Sequence, residues 1–130
     1  MADLLGVFTV AASGMDAQSR RLRHVSENIA NADTPGYRRK TIDFHATIDR
    51  ASGLARVAVG PVILDRGELP RVYDPGHALA DEQGYYDGSS VDQMIEIADA
   101  REAGRSYEAN LRMFDQARQM SQGLLDLLRR

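Results

Sequence analysis

The sequence predicts a mainly α protein with a small β insert: an antiparallel coiled coil of N- and C-terminal helices, joined by a short β-rich middle segment. Three observations carry this. The first thirty residues hold a sustained heptad, the residues after Ser90 hold a second apolar rhythm without proline, and the stretch between breaks into short β-favouring runs.

In the first segment Leu4, Phe8, Ala11, Met15, Gln18, Leu22, Val25 and Ile29 alternate spacings of four and three, which keeps one seam against a partner helix. Gln18 is its polar member. Asp16, Arg20, Arg21, Arg23 and Glu27 occupy the other faces, and no proline precedes Pro35. One helix is therefore expected over residues 3–31, roughly 40 Å long at about 1.5 Å per residue. Its longest apolar run, residues 4–12, is far short of the roughly 20 that span a bilayer. Asp3 precedes that run and no Lys or Arg does, so it reads as helix and not as the core of a cleaved signal.

Residues 31–36, NADTPG, end the helix, because Pro35 pushes Thr34 out of the α region and Gly36 supplies turn freedom. Tyr37, Ile42 and Phe44 alternate weakly with polar residues and predict an extended arm over 37–44. Residues 56–59, 62–64 and 71–73 are β-favouring runs separated by Gly60-Pro61 and Arg66-Gly67, with Pro75-Gly76 beyond, and predict two or three short strands. A second helix is expected over 91–128, capped by Ser90 and carrying Ala100, Ala103, Gly104, Tyr107, Leu111, Phe114, Ala117, Leu124 and Leu128 on one stripe. The boundaries are thus 1–36 for the first helix and turn, 37–90 for the arm and middle segment, and 91–130 for the last helix, acting as one unit. The closure expected is an antiparallel helix pair with the insert at its far end.

Three Phe, five Tyr and no Trp make a thin core for 130 residues. Leu5, Val7, Val10, Met94, Ile95, Ile97, Met113, Met120, Leu125 and Leu127 fall off the counted stripes and also need cover. Two apolar faces per helix imply neighbours, most simply copies or relatives in an assembly. The absence of Cys excludes disulfides, thiolate nucleophiles and thiolate zinc sites, and suits export. A net charge of −3 argues against nucleic acid as the main partner.

Catalytic chemistry finds no setting. Asp74, His77 and Asp81 have metal-ligand character, but Asp-Pro-Gly is a good turn and no further histidine lies nearby. Asp81-Glu82 reads as a solvated loop, and the serines lack a nucleophile-elbow context. Arg20, Arg21, Arg23, Arg38, Arg39 and Lys40 against Glu27 and Asp33 make residues 20–40 basic, whereas residues 51–96 are acidic. The expectation is a salt-bridged face meeting the acidic middle of a neighbouring subunit. Asn28, Asn31 and Asn110 lie beside apolar seams, where an amide can fix register and partner choice.

The stretch AASGMDAQSRRLRHVSENIANADTPGYRRKTIDF resembles the N-terminal signature of bacterial flagellar rod and hook proteins, above all SENIANADTPGYRRK with Asn28, Asn31, Thr34, Pro35, Gly36 and Tyr37. VYDPGHALAD, GYY and GRSYEANLRMFDQARQM resemble the short proximal-rod members, so the resemblance spans residues 4–45 and 72–128. YDPGH and RSYEAN favour one of the two short members, while DGSSVDQ is similar to the other. Three places depart from the family pattern: Ser89-Ser90-Val91-Asp92 replaces a Pro-Asn-Val-Asn-like start, His77-Ala78 replaces His-Pro, and Ala100-Arg101 stands where apolar residues are commoner.

The resemblance implies a structural subunit of the flagellar basal-body proximal rod, exported by the flagellar type III apparatus without a cleaved signal peptide. It implies helical assembly in the periplasm-spanning rod with other rod proteins and membrane-ring proteins, a role in motility, no enzymatic activity, and no cofactor, nucleic acid or membrane insertion. The subunit interface is expected at Phe8, Met15, Leu22, Asn28, Asn31, Pro35, Gly36, Tyr37, Arg105, Tyr107, Glu108, Asn110, Leu111 and Phe114. The competing expectations are a cytoplasmic coiled-coil adaptor and a metal-dependent enzyme at Asp74, His77 and Asp81.

Overall fold

The computed structural model describes residues 2–130. Helix α1 spans Ala2–Ala30. Strands β1 (Lys40–Ile48) and β2 (Ala55–Leu64) form one antiparallel hairpin, β3 (Arg71–Tyr73) and β4 (Tyr85–Asp87) form a second antiparallel pair, and helix α2 spans Gln93–Leu128. The two long helices and the small β middle thus follow the apolar periodicities.

The helices run antiparallel: Asn28 meets Glu96, Gly14 meets Asn110, and the Phe8 and Phe114 rings pack edge to face at 4.9 Å. Their contact is built from small side chains rather than a leucine seam. Among the described residues Ala11, Ala17, Val25, Ala103 and Ala117 are the buried apolar ones, and Gly14 is buried with them. Leu4, Phe8, Met15, Gln18 and Leu22 of the expected seam are only half-buried, and Ile29 is exposed. The reason is that α1 has two partners. Helix α2 covers one face, and the β1–β2 hairpin covers another, with the Val57 amide donating to Ser13 Oγ at 2.8 Å.

That packing overturns the expected position of the insert. The hairpin does not sit at the far end of the helix pair but folds back along α1, from Asn28 beside Lys40 to Gly6 beside Leu54. An amphipathic hairpin and a second apolar helix face each remove surface from water this way.

The arm expected over 37–44 is extended, and from Lys40 it is a strand reaching Ile48. The two runs at 56–59 and 62–64 are a single strand, because Gly60-Pro61 does not interrupt it. Ile42 pairs with Val62 and Phe44 with Val59, so Gly60 and Pro61 together oppose Asp43 in a bulge. A bulge accommodates both the missing proline donor and the close approach of Gly60 to the Asp43 carbonyl. Strand β4 lies outside the β-favouring runs read from the sequence and forms by pairing with β3.

Helix α2 begins two residues later than expected. Its cap is Asp92, whose carboxylate accepts from the Met94 amide at 3.0 Å, and not Ser90. Ser90 is engaged elsewhere: its hydroxyl accepts from the Arg39 amide at 2.7 Å.

A Cβ on Gly14 would lie 2.6 Å from Asn110 Oδ1, whereas nothing lies within 4 Å of one on Gly104. Gly14→Leu is expected to cost about 1–3 kcal/mol by overpacking, and Gly104→Ala to gain about 0.5–1 kcal/mol from helix propensity. Urea denaturation followed by circular dichroism checks both signs.

Candidate functional site

Where α1 ends, the arm leaves it and α2 begins, the chain builds a polar hub. Asn28 and Glu96 are the largest side chains with no exposed surface. The Asn28 amide pairs with the arm as a strand would. Its Oδ1 accepts from the Lys40 amide at 2.9 Å, and its Nδ2 donates to the Lys40 carbonyl at 2.9 Å. Oδ1 also accepts from the Tyr37 hydroxyl at 2.9 Å, and Nδ2 reaches Glu96 Oε2 at 3.2 Å. The side chain's donors and acceptor are thereby all used.

Glu96 is answered by Arg39, whose Nε donates to Oε1. The same guanidinium holds Asp99 at 2.7 Å, and Arg21 approaches Asp99 from α1 at 3.2 Å. Partial burial disfavours the Arg39 charge, but the Glu96 hydrogen bond and the charges of Glu96, Asp99 and Asp65 outweigh it and hold its pKa above the usual value. Burial pushes the Tyr37 hydroxyl up, with Glu27 and Glu96 adding to the effect and Lys40 opposing it. At the rim Lys40 Nζ sits 3.1 Å from Glu27 Oε2. Its hydrogen bond lowers the Glu27 carboxyl and raises the Lys40 amine.

The turn after α1 is fastened to the same end. Asn31 Nδ2 donates to the Glu27 carbonyl at 2.8 Å and its Oδ1 accepts from Thr34 Oγ1 at 3.1 Å. Gly36 adopts φ 75°, open to glycine, and its amide donates to the Asp87 carbonyl at 3.1 Å. The Ser90 amide donates to the Tyr37 carbonyl at 3.0 Å. The signature around residues 28–37 therefore clasps the start of α2.

Most of the basic stretch finds partners within the chain itself. Arg21, Arg39 and Lys40 pair with Asp99, Glu96 and Glu27, while Arg20 pairs with Asp16. Arg38 donates to the carbonyls of Asp65 and Gly67 at 2.9 and 2.8 Å. The helices supply these carboxylates because the antiparallel register sets the basic end of α1 beside the acidic first turns of α2.

Asp74, His77 and Asp81 do not converge on a metal. His77 stacks on Tyr86 at 4.0 Å and accepts the Leu79 amide at Nδ1. Asp81 accepts the Gln83 and Tyr85 amides, which with Arg71 hold its carboxyl below the usual range. Among the described residues no group of three His, Cys, Asp or Glu is placed to hold a metal ion.

Of the residues singled out from the sequence, Asn28 and Tyr37 lie in the hub, and Asn31, Pro35 and Gly36 form the clasp. Phe8, Met15, Leu22, Asn110 and Phe114 are half-buried along the helix pair, while Arg105, Tyr107, Glu108 and Leu111 are exposed on α2. Arg39, Glu96 and Asp99 were missed as members of one site. Opposite charges 60 residues apart carry no local signal for their meeting.

Glu96→Ala leaves Arg39 short of its main partner and Asn28 short of an acceptor, at an expected cost of about 2–4 kcal/mol. Glu96→Gln keeps the shape and one acceptor and is expected to cost about half as much; urea titration separates the two. Glu27, lowered from 4.5, contributes stability above that pH and loses it as pH falls through the folded value. Lys40→Met is therefore expected to lose less stability than the parent protein on acidification from about pH 6 to about pH 3, read by thermal melts across the range.

Comparison with known proteins agrees with this arrangement. Residues 8–38 match the family "Flagella basal body rod protein", and residues 82–127 match "Flagellar basal body rod FlgEFG protein C-terminal". These two stretches hold most of α1, the clasp and α2. The flagellar basal-body rod protein FlgC of Agrobacterium fabrum is 48% identical over 127 residues, covering 92% of this chain and 91% of its own. FlgC of Salmonella typhimurium is 37% identical, covering 90% and 92%, and that of Buchnera aphidicola from Acyrthosiphon pisum is 30% identical over the same shares. With identity of this level running through both helices and the segment between them, the chain belongs to the FlgC family of flagellar basal-body rod proteins.

Proposed function

We propose that this chain, a structural flagellar basal-body rod subunit by family, is exported by the flagellar type III apparatus and assembles helically in the proximal rod. Its neighbours are other rod proteins and the membrane-ring proteins, its place is the periplasm-spanning part of the basal body, and its assembly is required for motility. It catalyses nothing and holds no cofactor.

The observation that carries this reading is the unpaired apolar surface of α2. Met94, Ile95, Ile97, Leu111, Met113, Met120 and Leu127 are all exposed, as is Leu5 on α1. Among the described residues only five apolar side chains are buried within the chain. Apolar surface of this extent marks an interaction face. Its burial against neighbouring helices at about 25 cal/mol per Å² offsets the ordering entropy of assembly. The terminal helices pack with neighbours in coiled-coil fashion, and the segments 1–36, 37–90 and 91–130 act as one unit held by the hub.

The proposed contacts divide by exposure. Arg105, Tyr107, Glu108 and Leu111 touch a neighbour directly, and Pro35-Gly36 does so at the clasp. Asn28 and Tyr37 act by fixing the register of the helices, since Asn28 has no exposed surface. Phe8, Met15, Leu22, Asn110 and Phe114 set the helix pair and present its edges.

Leu111 is 42% exposed, so Leu111→Asp is expected to leave the chain folded while abolishing motility. The protein should no longer copurify with detergent-extracted hook and basal bodies. Normal swimming, or copurification that persists when flagellar export is blocked, would overturn the proposal.

A further inference from the structure

The stretch DGSSVDQ carries the single Asp-Gly step of the sequence, Asp87-Gly88, and no Asn-Gly step occurs anywhere in the chain. A main-chain amide that follows Asp or Asn can attack the side-chain carbonyl carbon of the residue before it. Glycine obstructs that attack least, because it has no Cβ. Asp74-Pro75 lacks the attacking N–H altogether. Local chemistry therefore singles out Asp87 among the aspartates.

The fold withholds both reacting groups. Asp87 ends strand β4, and its Oδ1 accepts from Arg71 Nη1 at 3.0 Å. The buried Gly88 amide donates to the Pro70 carbonyl at 2.8 Å. A Cβ on Gly88 would lie 3.0 Å from Val72 Cγ2 and 3.3 Å from the Pro70 carbonyl oxygen, so the main chain has little room to turn there. Ring closure must break both hydrogen bonds and swing the Gly88 nitrogen away from β3. It requires the β3–β4 pair to open, and the free energy of that opening is the protection.

We propose that Asp87 is a site of spontaneous isomerisation to isoaspartate, kept shut in the folded chain by the β3–β4 pair and Arg71 and released when the chain unfolds. The Gly88 nitrogen bonds to Asp87 Cγ, and the hydroxyl of the protonated carboxyl leaves as water with the amide proton. A cyclic imide results. Water then opens the ring at either carbonyl. Attack at Cγ restores aspartate, whereas attack at the main-chain carbon leaves Gly88 bonded through Cγ as isoaspartate. No oxidant or cofactor enters, and the mass of the chain is unchanged. The main-chain path gains one methylene, and the former Asp87 carbonyl becomes a free carboxylate. That carbonyl accepts the Gly36 amide at 3.1 Å in the intact protein, so the lesion falls on the clasp between the turn after α1 and the start of α2. None of this rests on the proposed rod function.

The test incubates the full chain for several weeks in neutral buffer made with oxygen-18 water, with and without urea, and maps isoaspartate by fragment ions on either side of residue 87. The unfolded sample is expected to form isoaspartate at residue 87, with uptake of oxygen-18, at least about tenfold faster than the folded one. Arg71→Gln, kept in native buffer, is expected to react at a rate between those of the folded and unfolded parent. Asp87→Glu, whose longer side chain must close a larger ring, is the blank. Equal rates with and without urea, isoaspartate formed mainly at another residue, or an Arg71→Gln rate no faster than the folded parent would overturn the proposal. The isomerised chain, separated by reversed-phase chromatography and returned to native buffer, is expected to melt below parent protein carried through the same steps. An unchanged melting temperature would overturn the placement of the lesion in the clasp.

Discussion

Glu96 is a carboxylate without exposed surface, and the placement of the other elements follows from how its charge is answered. An isolated buried charge costs far more than a domain's net stability, so it must be paired and hydrogen-bonded where it lies. Arg39 supplies the charge and Asn28 supplies an amide hydrogen. Arg39 comes from the arm and Asn28 from the last turns of α1, so both must be in place before α2 can bury its first turns. Register follows, because a slip of one residue on either helix turns these side chains away from each other.

A second consequence concerns direction. Asn28 binds the backbone of Lys40 on both its donor and acceptor sides, so the arm is aimed from its first strand residue. The hairpin that follows returns along α1, and its backbone reaches the helix again at Ser13. A single amide thus sets the path of the β segment as well as the join between helices. The clasp at residues 31–37 adds the stretch before α2, through Gly36 and Tyr37. Helix–turn, arm and helix start are three views of one joint.

The two ends of the helix pair differ in kind. The hub end is polar, specific and filled by side chains of the same chain, whereas the other end is apolar and open around Met120 and Leu124. Polar networks resist rearrangement because each lost partner leaves a buried group unsatisfied. Apolar faces accept any ridge of fitting shape. A rod subunit that keeps its own helices in register while leaving long faces for its neighbours has this division of labour, and the thinness of its private core is the counterpart of the surface it offers.

The sequence by itself determined both helices, the turn at Pro35-Gly36 and the β character of the middle, because periodicity and turn chemistry act over a few residues. It also marked surfaces that stay open: Leu5, Met94, Ile95, Ile97, Met113, Met120, Leu125 and Leu127, off the counted stripes, are all exposed. Only the tertiary structure decided the partner of each charge, the cap of α2 and the side on which the hairpin lies. Ser90 had the chemistry of a cap and lost the role to Asp92, because a backbone amide from 51 residues away needed its hydroxyl. Gly60-Pro61 had the chemistry of a break and became a bulge, because the facing strand allowed one. Local rules fix what a segment can be. Which of the permitted forms it takes depends on donors, acceptors and apolar faces brought to it from distant positions, and one chain read in a line does not show those meetings.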